Sequence, residues 1–490
     1  ASYCIGASTT ISATPGSEGD QVYWYTGGCG NTYVGTGTSL VVNPVVTTTY
    51  YARTYNSSSG CFGHGCTSVT VTVNVPTPST PLASTDYVFG SVGTDWNTPA
   101  NWLYWNGSSY TVPSSLPTTG NNVIITSSAS CASISGAATS GTANCRNITI
   151  ESGRSLSMTS QTMNVSGNWT NYGTFNCGTG TVNFSGTNQT LTGNTGFYYL
   201  RFAGSGIKTL TAGYTYQTTR TTAAPFNDID MMVSAGVTLS IPSGTVLKNN
   251  NLYGIQISGT VNINGGTFQC AATNGNGSTS NDSWLSGSVL SMSSGIFETT
   301  VSPGDADFTG ATLNISGGSI LINDDLWGTG TLNQSGGTIR NSTSGGAFII
   351  NGGNLTGGII NAYQYNDINR GLVIAANTTA SGSHTTNILS STSNYTPSVN
   401  AGVSARLGNV VVGAGSTLNL SSGASLSLAG SLIINTGITL VANNNNISIA
   451  GSWTNNGSFT PGTGTVIFNG TSGTSTITTG GTGVGKQFYN

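Results

Sequence analysis

Two stretches of this chain, 284 residues apart, carry one pattern, and that internal copy limits the fold more than any other feature. GNWTNYGTFNCGTGTVNFSGT (167–187) matches GSWTNNGSFTPGTGTVIFNGT (451–471), aligning Trp169 with Trp453, Phe175 with Phe459 and Phe184 with Phe468. Upstream, ITIESGRSL (148–156) matches LIINTGITL (432–440). A finer repeat lies between the copies. VNINGGTF (261–268), LSMSSGIF (290–297), LNISGGSI (313–320), LNQSGGTI (332–339) and GNLTGGII (353–360) share an alternating strand, a Gly-containing corner and an apolar residue that opens the next strand. Successive spacings of 29, 23, 19 and 21 residues match single coils of a parallel β-helix. Gly supplies the positive φ that such corners need. At about 20 residues per coil, roughly 400 residues predict some 20 coils and a rod on the order of 100 Å long.

Composition agrees. Only 5% of the 490 residues are charged, against about 25% in an ordinary soluble domain, yet 36% are hydrophobic. That apolar fraction, in short alternating clusters, argues against a disordered polar tract. Helical periodicity is nearly absent. A net charge of −3 provides no field to draw nucleic acid or an anionic membrane. No apolar run approaches the 18 or so residues of a membrane helix.

Residues 1–75 read differently, as an immunoglobulin-like β-sandwich. TTISATPG, VYWYTGG, TSLVVNPV, TTTYYARTY and TSVTVTVNV are five alternating runs separated by turn residues. Trp24 falls where a sandwich buries a large aromatic, and Tyr50 or Tyr51 is expected on the inner face. A Pro-rich linker (76–83) follows, read as an extended spacer. Residues 84–126, with Trp96, Trp102 and Trp105, form an aromatic N-terminal cap, and 127–490 the solenoid. Nothing at the other end reads as a cap. The sequence stops at KQFYN inside the second copy, from which the native chain is expected to run beyond Asn490.

Cys4, Cys29, Cys61 and Cys66 predict two disulfides, with three pairings open, and so an oxidising compartment. Their spacing suits zinc poorly. Cys131 with Cys145 is a further candidate pair. A start at Ala1 rather than Met is consistent with a removed signal peptide.

The residues resemble a known group. TDWNTPANW, the GNWTNYGTF-type rungs followed by GTGTVxFxG, and the FYNL-like segment are similar to the repetitive β-helical (pectin-lyase-like) surface proteins of Bacteroidota. WYTGGCG and TTTYYAR before paired cysteines resemble the Ig-like modules attached to them. The resemblance implies a right-handed β-helix at the surface of a Gram-negative bacterium, exported by a type IX secretion system. Its partners would be secretion or surface-anchoring machinery.

Right-handed β-helices also include pectate lyases and polygalacturonases, so the fold leaves catalysis open and a site must decide it. A glycosidase needs paired carboxylates. Asp228 with Asp230, Asp305 with Asp307, and Asp324 with Asp325 are the pairs available, with Arg220 the one basic group near the first. The reading preferred for them is turn capping or a structural cation, Ca²⁺, at Asp228 and Asp230. The GHG at 63–65 precedes the aspartates and belongs to the other domain. His64 reads as a loop residue, and neither it nor His384 joins a triad. Tyr104, Trp105, Tyr110, Tyr363 and Tyr365 sit in Asn/Gly/Ser-rich segments read as loops, and are candidates for stacking on a glycan or a protein partner. An ice-binding face would need Thr in register at every coil, and the Thr residues are out of register. The expectation is a secreted, non-catalytic adhesin or fibre protein with no cofactor, open to self-association. The alternative is a polysaccharide-active β-helix enzyme.

Overall fold

The computed structural model describes residues 2–89, 93–126, 136–220, 229–250, 255–270, 283–300, 306–341, 346–364, 371–390, 398–401, 406–413 and 417–490. Among these the secondary structure is strand, apart from one 3-10 turn at Pro99–Asn101. The chain is all-β: an Ig-like domain followed by a parallel β-solenoid. It forms two compact units, Ala1–Val182 and Asn183–Asn490.

The Ig-like domain has seven strands: β1 (Ser2–Cys4), β2 (Thr9–Ser12), β3 (Gln21–Thr26), β4 (Thr32–Thr36), β5 (Ser39–Val42), β6 (Thr48–Asn56) and β7 (Cys61–Asn74). One sheet runs β1-β7-β6-β3-β4 and the other pairs β2 with β5. The five alternating runs of the sequence are β2, β3, β5, β6 and β7. Alternation aims Val22, Trp24, Tyr50, Ala52 and Val71 from one sheet and Ile11 and Val42 from the other into a single core. Trp24 donates its indole N–H to the Gly37 carbonyl at 2.8 Å, which satisfies the polar end of a buried ring. Tyr50, not Tyr51, takes the inner face.

The proline segment is held in place and does not act as a free spacer. Tyr110 donates its hydroxyl to the Pro76 carbonyl, and Ser79 donates both N–H and hydroxyl to Glu151 at 2.6 Å. Leu82 packs on Ile5, Val88, Leu103 and Tyr110. Beyond it, Trp96, Trp102 and Phe89 bury one another edge to face, with the Trp102 indole N–H on the Trp96 carbonyl.

Each early coil is three short strands. Ile148–Ile150, Ser155–Ser157 and Thr162–Val165 stack on Val123–Ile125, Gly136–Ala138 and Ala143–Cys145 in parallel register. One residue or two per strand point inward, and those are Ile148, Ile150, Leu156, Met163 and Val165. The second copy repeats the plan: Leu432 stacks on Trp453, Leu440 on Phe459 and Ile447 on Val466.

The parallel β-solenoid makes about 13 turns. A uniform 20-residue coil overestimates the number of turns, because coil lengths vary. Thr312 pairs with Thr331, whereas Gly206 pairs with Val237 and Thr260 with Val289. Val261, Leu290, Leu313 and Leu332 stack in one inward column, and Phe268, Phe297, Ile320 and Ile339 in another. Between the columns Gly295, Gly318, Gly337 and Gly358 all take φ between 68° and 88°, the bend that the repeat's glycines predicted.

KQFYN does have packing partners. Phe488 meets Trp453 at 5.0 Å, Phe459 at 6.1 Å and Phe468 at 6.0 Å, and Phe459 N–H donates to Gly485 O.

Candidate functional site

The second position of the fine repeat faces outward, so parallel stacking lines up Asn262, Ser291, Asn314, Asn333 and Asn354. The amides hydrogen-bond along the column: Asn333 Nδ2 donates to Asn314 Oδ1 at 2.9 Å, Asn354 Nδ2 to Asn333 Oδ1 at 3.4 Å, and Thr379 Oγ1 to Asn354 Oδ1 at 2.5 Å. Beside it runs a second polar column, Asn264, Ser293, Ser316, Ser335 and Thr356. The two border a groove of about 770 Å³. None of its lining side chains is ionisable. Each amide retains donor and acceptor capacity toward a ligand. No sequence reading singled out these residues. Their signal is the polar residue second in each repeat, which strand alternation turns outward.

Beneath the groove, Gln334 replaces the aliphatic residue of neighbouring rungs and is fully buried. Its amide donates to the carbonyls of Gly336, Gly337 and Ile359, so Oε1 is left to accept from His384 Nε2 at 3.2 Å. That partner fixes the neutral Nε2–H tautomer. Burial lowers the ring's pKa to about 4.

The aromatic candidates separate. Trp102–Trp105 pairs antiparallel with Tyr110–Thr111, so Tyr104, Trp105 and Tyr110 stand on a hairpin and not on loops. Tyr104 packs edge-on against Tyr87, and Trp105 against Tyr110 at 5.0 Å. Tyr110 is buried; desolvation, then the charges of Asp86 and Glu151, push its hydroxyl up to about 12. Trp105 and Tyr110 line an apolar cavity of about 720 Å³ with Ile5, Val46, Pro76 and Leu82. Tyr363 lies in the other unit, in the strand Gly353–Gln364, where its backbone N–H and carbonyl are both bound by the Asn341 amide. Tyr365 falls outside the described residues.

Of the candidate cation ligands, Asp228 lies outside the described residues. Asp230 is fully buried, with Arg220 Nη1 at 3.1 Å from its Oδ1. Arg220 is itself buried against Tyr198 and Tyr199. Among the described residues no three His, Cys, Asp or Glu side chains cluster as metal ligands. Asp305 is not described and Asp307 accepts from the Thr309 backbone N–H. Asp325 turns inward and accepts the Ala347 N–H at 2.5 Å, a bond from one coil to the next and not the cap of its own turn. His64 stands exposed on β7 instead of in a loop.

The cysteines correct the expected pairing. Cys29 is bonded to Cys66, and Cys4 is disulfide-bonded, but Cys61 is free and exposed, so the first four do not close on themselves. Cys66 stands opposite Arg53 on β6 while Cys61 stands opposite Asn56 near the hairpin end, away from that bridge. Cys145 is free and wholly buried, because its strand turns it into the core above Val165, where burial raises its thiol pKa. Cys131 lies outside the described residues.

Residues 1–75 match the family described as Ig-like domain, CHU_C associated. No curated protein and no solved structure matches the chain. An Ig-like domain of that kind ahead of a β-solenoid fits a secreted or surface structural protein. No helix among the described residues is long and apolar enough to cross a membrane.

Proposed function

We propose that this chain is a non-catalytic attachment protein of the cell surface, whose solenoid groove holds an uncharged, hydroxyl-rich glycan. The supporting observation is the groove itself: stacked amides and hydroxyls offer repeated hydrogen bonding, with no acid–base pair among them. Buried Arg220 and Asp230 are paired with each other and are poorly placed to exchange protons with a substrate. The resemblance to Bacteroidota surface proteins supports export by a type IX system in a Gram-negative cell, which loss of secretion in a translocon-deficient strain would test.

Beads carrying the full chain should adhere to surfaces coated with neutral glycans, and the double variant Asn314→Ala/Asn333→Ala should adhere at least tenfold less. Unsaturated or reducing ends released from pectin or alginate, with or without Ca²⁺, would overturn the non-catalytic reading and favour the polysaccharide-active alternative. Wild-type adhesion unaffected by the double variant would remove the groove from the proposal.

A further inference from the structure

The Ig-like sheet carries an aromatic outer face that its own fold leaves uncovered. Alternation sends Trp24 inward and Tyr23 outward on β3, and cross-strand pairing then sets Tyr23 beside Arg53, and Tyr55 beside Phe62. Tyr23 is the hub, with ring centroids of Tyr33 at 5.9 Å, Tyr55 at 5.0 Å and Phe62 at 5.1 Å. Tyr55 and Phe62 lie 4.8 Å apart. Arg53 donates Nε–H to the Gly63 carbonyl and lies 5.0 Å over the Phe62 ring, so its charge is already engaged. Tyr33 is 55% exposed and Phe62 36%. The Cys29–Cys66 bridge fixes the edge of this face.

Size and charge select the occupant. Aromatic side chains offer about 150–250 Å² each, so Tyr33 and Phe62 together expose roughly 200 Å², and half-buried Tyr23 and Tyr55 extend this to a few hundred. A stable protein interface needs about 800 Å² per partner, several times more. A polyanion would need free cations, and Arg53 is the only cationic group within the cluster. Three hydroxyl-bearing rings beside the Phe62 ring suit a ligand with C–H faces to stack and hydroxyls to bond. We infer that the outer face of β3, β4, β6 and β7, built on Tyr23, Tyr33, Tyr55 and Phe62, is a binding site for a short run of an uncharged oligosaccharide, separate from the solenoid groove.

Affinity electrophoresis of the full chain in gels containing soluble β-1,4-glucan, β-1,3-glucan, mannan or polygalacturonate tests this. The wild type should be retarded by at least one neutral polymer and not by polygalacturonate. Made in the Asn314→Ala/Asn333→Ala background, which removes the groove, Tyr33→Ala and Phe62→Ala should each lower the remaining retardation about tenfold with unchanged circular dichroism, and Val41→Ser on the other sheet should leave it unchanged. Absence of retardation in every neutral gel would overturn the inference, as would retardation that survives both substitutions. Retardation lost only with Asn314→Ala/Asn333→Ala would overturn it while leaving the groove reading intact. Self-association in sedimentation velocity that Tyr33→Ala abolishes would reassign the face to a second copy of the chain.

Discussion

The rung of Trp453 and the rung of Gln334 solve the same packing problem in opposite ways. Trp453 fills its coil with an apolar ring set edge-on against Phe459 at 4.8 Å, and the first copy does the same with Trp169 and Phe175 at 4.9 Å. Gln334 fills its coil with an amide that bonds three carbonyls and His384. Apolar contact is non-directional, so the Trp–Phe arrangement fits any coil of the right width. That is how one sequence serves at two places 284 residues apart without a change of geometry. A buried amide–imidazole hydrogen bond is directional and forms in one arrangement only, and among the stacked units of the fine repeat it occurs once.

The largest effect expected from this contrast is the loss of a copied ring. Trp169→Ala and Trp453→Ala should each destabilise their coils by about 3–5 kcal/mol, the range for a large buried aromatic. Hydrogen exchange should accelerate in the neighbouring strands Ile148–Ile150 and Leu432–Ile434, which stack directly on them. A cost below about 1 kcal/mol at either site would break the equivalence of the copies.

Next comes pH. His384 is held neutral, with its pKa lowered from 6.5 to about 4 by burial. The unfolded chain therefore binds a proton that the folded chain refuses, so this stability is complete above pH 6.5 and is lost as pH falls to about 4. The loss amounts to about 3 kcal/mol. Residues 432–471 contain no ionisable side chain, so their exchange protection should stay flat over that window while strands around Thr385–Ser390 loosen. His384→Met should flatten the pH dependence of denaturant midpoints. An unchanged slope would remove His384 as its source.

How much of this could be read beforehand follows from which interactions are periodic. Trp169, Trp453 and the inward aliphatic columns were legible because stacking repeats residue types at coil spacing. The sandwich core around Trp24 and Tyr50 was legible from alternation. The Cys61 and Cys145 thiols were misread because pairing depends on which strand face a cysteine occupies. Tyr104, Trp105 and Tyr110 were read on loops but stand on a hairpin, since its two short strands flank the Asn-Gly-Ser-Ser turn that dominates the local composition. The Gln334–His384 contact spans 50 residues with no periodic signal at all.

A smaller effect tests why the copies share their glycines. Gly173 and Gly457 occupy matching positions, and neither takes a positive φ. A Cβ on Gly457 would stand 2.2 Å from Ile438 O, and one on Gly173 2.3 Å from Arg154 O, so these glycines let one coil's backbone approach the next. Alanine at either should cost about 1–3 kcal/mol, as overpacking does. Gly437 has φ 81° but open space around it, so Gly437→Asn should cost well under about 1 kcal/mol in the same denaturation series. Equal costs at Gly437 and Gly457 would mean that backbone conformation, not coil-to-coil approach, selects glycine in the copies.

The smallest effect on stability is expected in the groove. Asn333→Ala removes one hydrogen bond to Asn314 and one from Asn354, both at the solvent-facing surface where water replaces them, so it should cost under about 1 kcal/mol. A binding surface and a structural ladder then give opposite results. If the column binds glycan, adhesion falls sharply in Asn333→Ala while its denaturation midpoint stays near that of the wild type. If the column chiefly holds the coils together, the midpoint falls well below that of the wild type and adhesion falls only as far as folding does. Asn333→Asp separates the two further. A carboxylate can still accept from Asn354 Nδ2 but can no longer donate to Asn314 Oδ1, and its charge is exposed to solvent. It should fold like the alanine variant, and should fail to hold a neutral ligand that needs the amide's donor.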